Sequence, residues 1–124
     1  EIGIEKLHKL GIPIHIISPV PVHNKSVPQL VFEGYENEFS QTSQEYDEYI
    51  VPFSAFINNL NRKGLKINTH NVKDLFCKLE YCKILDENSY PIYYDSHHMN
   101  TQGSAILDPV FKEIISNLQT SSNY

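Results

Sequence analysis

The stretch "EIGIEKLHKLGIPIHIISPVP", residues 1–21, contains the signals that decide the fold. Its first part predicts a helix, because apolar residues recur at helical spacing at Ile2, Ile4, Leu7 and Leu10. Gly11 suits the position just past a helix end. The segment 12–21 is rich in β-branched residues and ends in a proline-rich turn, which is typical of a buried strand. The stretch therefore predicts a helix, a glycine stop and a strand.

The same order of elements recurs further along the chain. Thr42 and Glu45 match a capping box, which predicts the start of another helix. One apolar face follows it, formed by Tyr46, Tyr49, Ile50, Phe53, Ile57 and Leu60. Pro52 predicts a kink or a restart within this helix, and Gly64 predicts its end. The segment "LKINT", 65–69, predicts the second strand, and the alternation indicates an α/β fold with a parallel sheet and right-handed crossovers.

The remaining segments show weaker signals. Residues 22–41 have no sustained period and predict a long loop, and the segment 71–94 is irregular and contains both cysteines. A last helix is predicted from Thr101 to Leu118, with a bend at Pro109. Its apolar stripe consists of Leu107, Val110, Phe111, Ile114, Ile115 and Leu118. In open α/β sheets the functional site lies beyond the carboxyl ends of the strands. We therefore expect the loops that follow the two predicted strands to lie at the functional edge of the sheet.

Composition limits the functions that fit the chain. The 124 residues carry a net charge of −5 without a basic block, which argues against a nucleic-acid partner. No apolar run has the length of a membrane span, and no signal peptide is recognisable. Two strands are too few for an independent sheet, and the chain opens in mid-helix. We therefore expect residues 1–124 to be the C-terminal portion of one domain whose upstream part supplies more of the fold.

The segment "YYDSHHMNTQG", 93–103, contains the candidate catalytic residues. An aspartate three residues before a histidine can accept the imidazole Nδ1–H, which leaves Nε2 free to take a proton from a nucleophile. That chemistry requires a serine within reach, and the chain contains neither G-D-S nor G-x-S-x-G. The alternative is structural, in which Asp95 and the histidines cap the last helix and line a polar turn.

Three segments together carry a family resemblance: "LGIPIHIISPVP", "LFCKLEYC" and "IYYDSHHMNTQGSAIL". In this order they resemble the C-terminal part of an SGNH (GDSL-type) hydrolase domain, and most closely the SGNH domain of bacterial membrane O-acyltransferases of the acyltransferase-three type. The resemblance implies a three-layer α/β/α fold with a parallel sheet. It also implies that His98, and not His97, is the catalytic base, with Asp95 as its orienting acid. Asn100 stands where the family more often has serine, and it should cap equally well.

The resemblance implies a function and a set of partners. In that family the nucleophilic serine and the oxyanion-hole Gly and Asn precede this region, so we expect the upstream part of the same protein to supply them. The chain would then be the acid–base half of a serine-dependent O-acyltransferase or esterase, acting on an acyl donor and a cell-surface glycan. A periplasmic or extracytoplasmic location and no cofactor or metal are expected. The alternative is a non-catalytic α/β interaction module.

Cys77 and Cys82 are the only cysteines, spaced C-x4-C. A disulfide in an oxidising compartment and a pair of free buried thiols are both compatible with this spacing. A zinc site shared with His97 and His98 is a third alternative, although the spacing is not usual for zinc. The family resemblance favours the disulfide. The other histidines, His8, His15, His23 and His70, have no evident partner, and we expect them on the surface or in strands.

Overall fold

The computed structural model describes residues 2–34 and 40–121 of the chain. Its elements alternate between helices and short strands: α1 (Ile2–Lys9), β1 (Ile14–Ile17), α2 (Val27–Glu33), α3 (Ser43–Tyr49), α4 (Val51–Arg62), β2 (Ile67–His70), α5 (Lys73–Phe76), β3 (Cys77–Lys78), β4 (Tyr81–Cys82), α6 (Thr101–Ala105) and α7 (Asp108–Ser121). Within the described residues, no helix combines the length and the apolar character needed to cross a bilayer.

Strands β1 and β2 form the predicted parallel pair. Their register runs from Ile14 opposite Ile67 to Ile17 opposite His70. Helix α4 and strand β2 pack together, as do α1 and β1, so both helices lie against this sheet. The chain is thus an α/β protein with a small parallel sheet, as the alternation of elements predicts. The three-layer arrangement remains a prediction.

Apolar residues pack into two clusters on either side of β1. Ile16 packs with Ile57, Leu60 and Leu65 beneath α4. Its neighbour Ile17 points to the opposite face and packs against the larger cluster. The larger cluster unites α2, α3, α5, the β3–β4 hairpin and the start of α7, and its fully buried members include Val27, Leu30, Tyr46, Val72, Phe76, Ile92 and Tyr93. Strand β1 therefore joins the two halves of the core.

Three helix predictions hold, two of them with a change of detail. The capping box at Thr42 is present, because its hydroxyl accepts from the Glu45 N–H at 3.1 Å and the Glu45 carboxylate accepts from the Thr42 N–H at 2.7 Å. Pro52 lies in the first turn of α4. Helix α3 ends and helix α4 begins at Ile50, which is the restart and not the kink of the two predicted outcomes. Pro109 likewise lies in the first turn of α7, where the predicted bend is a break between α6 and α7.

The prediction of a long loop over 22–41 is wrong, because helix α2 occupies its centre. Val27 and Leu30 bury one face of that helix. Pro28 lies in its first turn, and Gly34 ends it with φ +76°, a conformation that favours glycine. Seven residues give less than two turns of periodicity, so a pattern search does not detect such a helix. Residues 35–39 of the predicted loop lie outside the described residues.

The apolar stripe of the last helix is only partly buried. Leu107 and Val110 lie in the core, whereas Phe111 and Ile115 are 47% and 54% exposed. The spacing of a stripe identifies the apolar face of a helix and contains no information about how far along it the neighbouring elements reach. The buried portion is the part next to α6, and α7 extends beyond the cluster.

The two cysteines form a disulfide at the base of the β3–β4 hairpin. Both are buried, and they face each other directly across the two strands. A sulfur bonded to another sulfur is not available as a zinc ligand, so the alternative of a zinc site with His97 and His98 does not hold in this structure. The bond holds the hairpin in the larger apolar cluster, which also contains Ile84, Ile92 and Tyr93.

Intact-mass measurement of the purified chain tests this disulfide. We expect the mass to rise by two hydrogens on reduction, and we expect thiol-alkylating reagent to label both cysteines only after reduction. Closing a loop of this length constrains the unfolded chain by about 2 kcal/mol, so reduction should lower the free energy of unfolding by about that amount. Two thiols that alkylate without reductant would contradict the bond and the expected extracytoplasmic location.

Candidate active site

Residues 93–99 form a tight loop that places Asp95 and His98 side by side. An antiparallel bridge between Tyr93 and Met99 closes the loop, and the Tyr94 N–H donates to the His98 carbonyl at 2.8 Å. Ile92, just before the loop, donates to the carbonyl of Ile84 at 2.9 Å and is itself fully buried. The loop therefore projects from a fixed position in the core.

A second segment positions this loop at the carboxyl edge of the sheet. The chain leaves β1 at Ser18, whose N–H donates to the His70 carbonyl at 2.8 Å at the end of β2. It then runs beneath the loop, where the His23 N–H donates to the Ser96 carbonyl at 2.8 Å and the Val27 N–H donates to the Asp95 carbonyl at 3.1 Å. The loop thus lies beside the segment that follows β1, at the edge where ligands bind in open α/β sheets.

The Asp95 carboxylate divides its two oxygens between the backbone and the His98 ring. Oδ1 accepts from the N–H groups of His97 and His98, both at 2.8 Å. Oδ2 lies 2.7 Å from His98 Nδ1, which is the predicted acid–imidazole hydrogen bond. These three bonds, led by the His97 and His98 backbone N–H groups, hold the pKa of Asp95 well below its usual range. The acid is therefore ionised and acts as an acceptor towards the ring.

His98 presents its other ring nitrogen away from this bond. Its side chain is 67% exposed, and that of Asp95 is 46% exposed. Because an ionised Asp95 is an acceptor only, the neutral ring carries its proton on Nδ1 and leaves Nε2 with a free lone pair. Among the described residues, Asp95 is the only hydrogen-bond partner of the His98 ring, so no serine of this part of the chain contacts Nε2.

His97 points to a different partner. Its Nδ1 lies 2.9 Å from the Ser96 hydroxyl and 3.7 Å from Asp95 Oδ1, beyond hydrogen-bond distance. The ring centroids of His97 and His98 are 4.0 Å apart. The geometry thus matches the prediction that Asp95 pairs with His98 and not with His97, and the catalytic role of the pair stays a prediction.

Helix α6 begins directly after the loop and holds it in place. The Asn100 side chain accepts from the Gly103 N–H at 3.0 Å and donates to the Pro91 carbonyl at 2.7 Å. Asn100 therefore caps the helix, as predicted for this position. Gly103 is buried, and a Cβ there would collide with the carbonyl oxygen of Ile92 and approach the Cβ of Met99 to 3.1 Å. Only a glycine lets α6 pack this closely behind the loop.

The expectation that His23 lies on the surface or in a strand is wrong, because the structure buries it below the loop. It is 3% exposed, its Nδ1 accepts from the Gln41 N–H at 3.1 Å, and its ring meets Tyr93 edge-on at 4.8 Å. Burial lowers the pKa of His23 to about 4, so the ring is neutral near neutral pH. The sequence gives no local signal for this, because both contacts join distant parts of the chain.

Two further histidines also have partners that the sequence does not reveal. Nδ1 of His15 and Nε2 of His70 are 2.9 Å apart, across the β1–β2 pair. One of the rings donates and the other accepts. Ser18, at the end of β1, is buried, and its hydroxyl accepts from the Val72 N–H at 3.0 Å. That serine stabilises the strand ends.

A cation site is sterically compatible with the loop. Asp95, His97 and His98 each offer one ligand atom, and these three atoms lie within 4.8 Å of one another. Carboxylate and imidazole together suit zinc and related first-row metals. The sequence predicts neither a metal nor a cofactor. In the structure, His97 is the third side chain that, with Asp95 and His98, makes a cation site geometrically possible.

The family model for an SGNH domain fused to AT3 domains matches residues 3–113. The match spans most of the chain and includes Asp95, His98 and the disulfide. The chain therefore belongs to the family of SGNH domains that are fused to AT3 domains, which confirms the predicted resemblance. No curated protein and no solved structure matches the chain significantly. Membership makes the chain an acyltransferase-type module, of a family whose SGNH domains are fused to AT3 domains.

Replacing Gly103 by alanine tests the close packing behind the site. We expect Gly103→Ala to lower the free energy of unfolding by about 1–3 kcal/mol, because the new methyl group overlaps backbone that has no freedom to move. Gly3→Ala is the matched control, since nothing lies within 4 Å of a Cβ there and alanine favours helix α1. Denaturant unfolding of both variants measures the difference, and equal stability would contradict this packing.

Proposed function

We propose that the chain is the acid–base half of a serine-dependent acyl-transfer domain. Asp95 orients His98, and His98 is the general base. The observation that carries the proposal is the 2.7 Å hydrogen bond between Asp95 Oδ2 and His98 Nδ1 in a loop whose backbone is fixed at both ends. The membership of the chain in the SGNH family supports it.

The reaction proceeds in two halves that use the same ring nitrogen. In the first, His98 Nε2 takes the proton of a serine hydroxyl while that oxygen attacks the acyl carbon, and the resulting imidazolium protonates the leaving group. In the second, Nε2 takes a proton from the acceptor hydroxyl as that oxygen attacks the acyl-serine, and the imidazolium returns the proton to the serine oxygen as it leaves. The ionised Asp95 stabilises the imidazolium in both halves and stays unprotonated.

We propose that the serine and the oxyanion-hole residues lie in the upstream part of the same protein. The family's fusion to AT3 domains supports a longer chain. The upstream part would also supply further strands to the β1–β2 pair and complete a three-layer α/β/α domain. The exposure of His98 supports this division, because a base that serves a serine on another segment has to face that segment.

The substrates that fit this proposal are an acyl donor and a cell-surface glycan hydroxyl. The AT3 domains of the family are membrane acyltransferases, which supports a location at a membrane. The Cys77–Cys82 disulfide supports an oxidising compartment. Together they favour a periplasmic or extracytoplasmic domain that transfers an acyl group to a glycan or, with water as acceptor, removes one.

One observation favours a second candidate, a non-catalytic interaction module. Asp95 Oδ1 accepts two backbone N–H groups, which is the bonding of a polar turn and has a structural value of its own. In that case the contact of Oδ2 with His98 would only add to the turn. The bonds of Oδ1 are those expected of a structural turn, and the bond of Oδ2 is the one expected of a catalytic pair. A substitution that removes only the Oδ2 bond therefore distinguishes the two candidate functions.

Asp95→Asn in the full-length protein is that substitution. The amide oxygen can still accept the two backbone N–H groups, whereas the amide nitrogen can no longer accept from His98 Nδ1–H. We expect acyl transfer to fall by about 10⁴-fold, because the ring takes the other tautomer, while the melting temperature changes little. His98→Ala should reduce the rate by about 10²–10⁴-fold or more. Transfer of an acyl group from a chromogenic ester measures both rates.

His97→Ala is the control for these variants. It removes the neighbouring imidazole and leaves the Asp95–His98 hydrogen bond in place, so most of the activity should remain. A loss as large as that of His98→Ala would move the base to His97. Full activity in both Asp95→Asn and His98→Ala would instead favour the interaction module.

The proposal also predicts that residues 1–124 alone have little or no activity on a simple acetyl ester. General-base assistance to water is worth about 10²–10⁴-fold, and the covalent step and the oxyanion hole would be missing. Adding the upstream part of the protein, on the same or a separate chain, should restore turnover. Robust hydrolysis by the 124-residue chain that a serine-directed inhibitor blocks would show that a serine of this chain is the nucleophile.

A further inference from the structure

His97 has no role in the acid–base pair, although it lies against it. Its ring packs on that of His98 with centroids 4.0 Å apart, and its Nδ1 is 3.7 Å from Asp95 Oδ1. The pair with His98 uses the other oxygen of the same carboxylate. Two imidazoles and one carboxylate are thus gathered on four consecutive residues, and the side chain of His97 is 49% exposed.

The dimensions of this group fit a zinc ion. Zinc binds nitrogen and oxygen at about 2.0–2.2 Å, which separates tetrahedral ligand atoms by about 3.3 Å. Here one ligand atom from each of the three residues lies within 4.8 Å of the others. The side chains are partly exposed and can rotate to shorten these distances. The backbone beneath them is held in place by the N–H groups of His23 and Val27.

The donor set also selects the metal. Two histidines and one carboxylate, with a fourth position open to water, form one of the ligand sets that zinc takes in proteins. Mg²⁺ and Ca²⁺ prefer oxygen ligands and find only one carboxylate here. Among the described residues this is the only group of at least three histidine, cysteine or acidic side chains with that spacing.

We propose that Asp95, His97 and His98 bind one Zn²⁺ ion and that the bound ion switches off the base. The binding half of this inference stands on the geometry alone, and the inhibitory half rests on the proposed function of His98. His97 thereby acquires a role as the ligand that makes the catalytic pair sensitive to zinc.

The loss of the base follows from the ring's two nitrogens. If zinc binds His98 at Nδ1, the Nδ1 proton is released and Nε2 takes up a proton from solvent, so the ring stays neutral and no net proton is released. Nε2 then carries a hydrogen and can no longer accept one from a serine. If zinc binds at Nε2 instead, the metal occupies the lone pair directly. Asp95 keeps its backbone bonds through Oδ1 in either case.

Calorimetric titration of the 124-residue chain with zinc chloride tests the binding half. We expect one site that His97→Ala and His97→Gln each weaken by more than about tenfold, because even outer-shell partners of a metal are worth 10–100-fold. His15→Ala, which removes a member of the other close histidine pair, should leave the site unchanged. Magnesium chloride should give no binding. Circular dichroism of each variant confirms that it is folded.

Zinc affinity equal in the chain and in both His97 variants would overturn the inference, as would loss of the site in His15→Ala.

Acyl transfer by the full-length protein tests the inhibitory half. We expect zinc to inhibit the unmodified protein, a chelator to restore its rate, and His97→Ala to need more than about tenfold more zinc for the same fractional loss of its own zinc-free rate. Binding without inhibition would overturn the inhibitory half. The calorimetric result stands apart from the proposed function, so a full-length protein without acyl-transfer activity would refute that function and leave the binding result decisive for the metal.

Discussion

The division of the Asp95 carboxylate between backbone and imidazole is the interaction on which the site depends. Oδ1 accepts from the N–H groups of His97 and His98, and these two bonds hold the carboxylate with Oδ2 facing His98 Nδ1. A carboxylate tied to the backbone of its own loop keeps its charge and its position without burial. The loop therefore presents an oriented imidazole on the surface of the described part of the chain.

The rest of the structure positions that loop. Ile92 and Tyr93 anchor it in the core, and Gly103 lets α6 pack directly behind it. The disulfide fixes the hairpin that contributes Cys77 and Cys82 to the same core. Strand β1 then connects this core to the smaller one beneath α4, since adjacent residues of the strand pack into different clusters. The rigidity of the site thus comes from elements far apart in sequence.

Local signals in the sequence predicted the local features. The Thr42 capping box, the restart at Pro52 and the Asp95–His98 contact depend on spacings of a few residues. The parallel strand pair joins distant segments, and the alternation of helices and strands along the chain predicts it. Helix α2 was missed because seven residues contain too little periodicity. The burial of His23 and the His15–His70 contact were missed because they join segments far apart, and a single sequence contains no record of such pairs. The exposure of part of the α7 stripe is also not predictable from the sequence, because spacing does not reveal which neighbouring elements cover a helix face.

The tautomer of His98 is the most direct test of this account. Long-range proton–nitrogen correlation spectra of the histidine rings, recorded on the ¹⁵N-labelled chain under mildly basic conditions, distinguish a proton on Nδ1 from one on Nε2. His98→Ala assigns the signals by their loss. We predict that neutral His98 carries its proton on Nδ1 and that Asp95→Asn moves it to Nε2. A proton on Nε2 in the unmodified chain would contradict the assignment of His98 as a base oriented by Asp95.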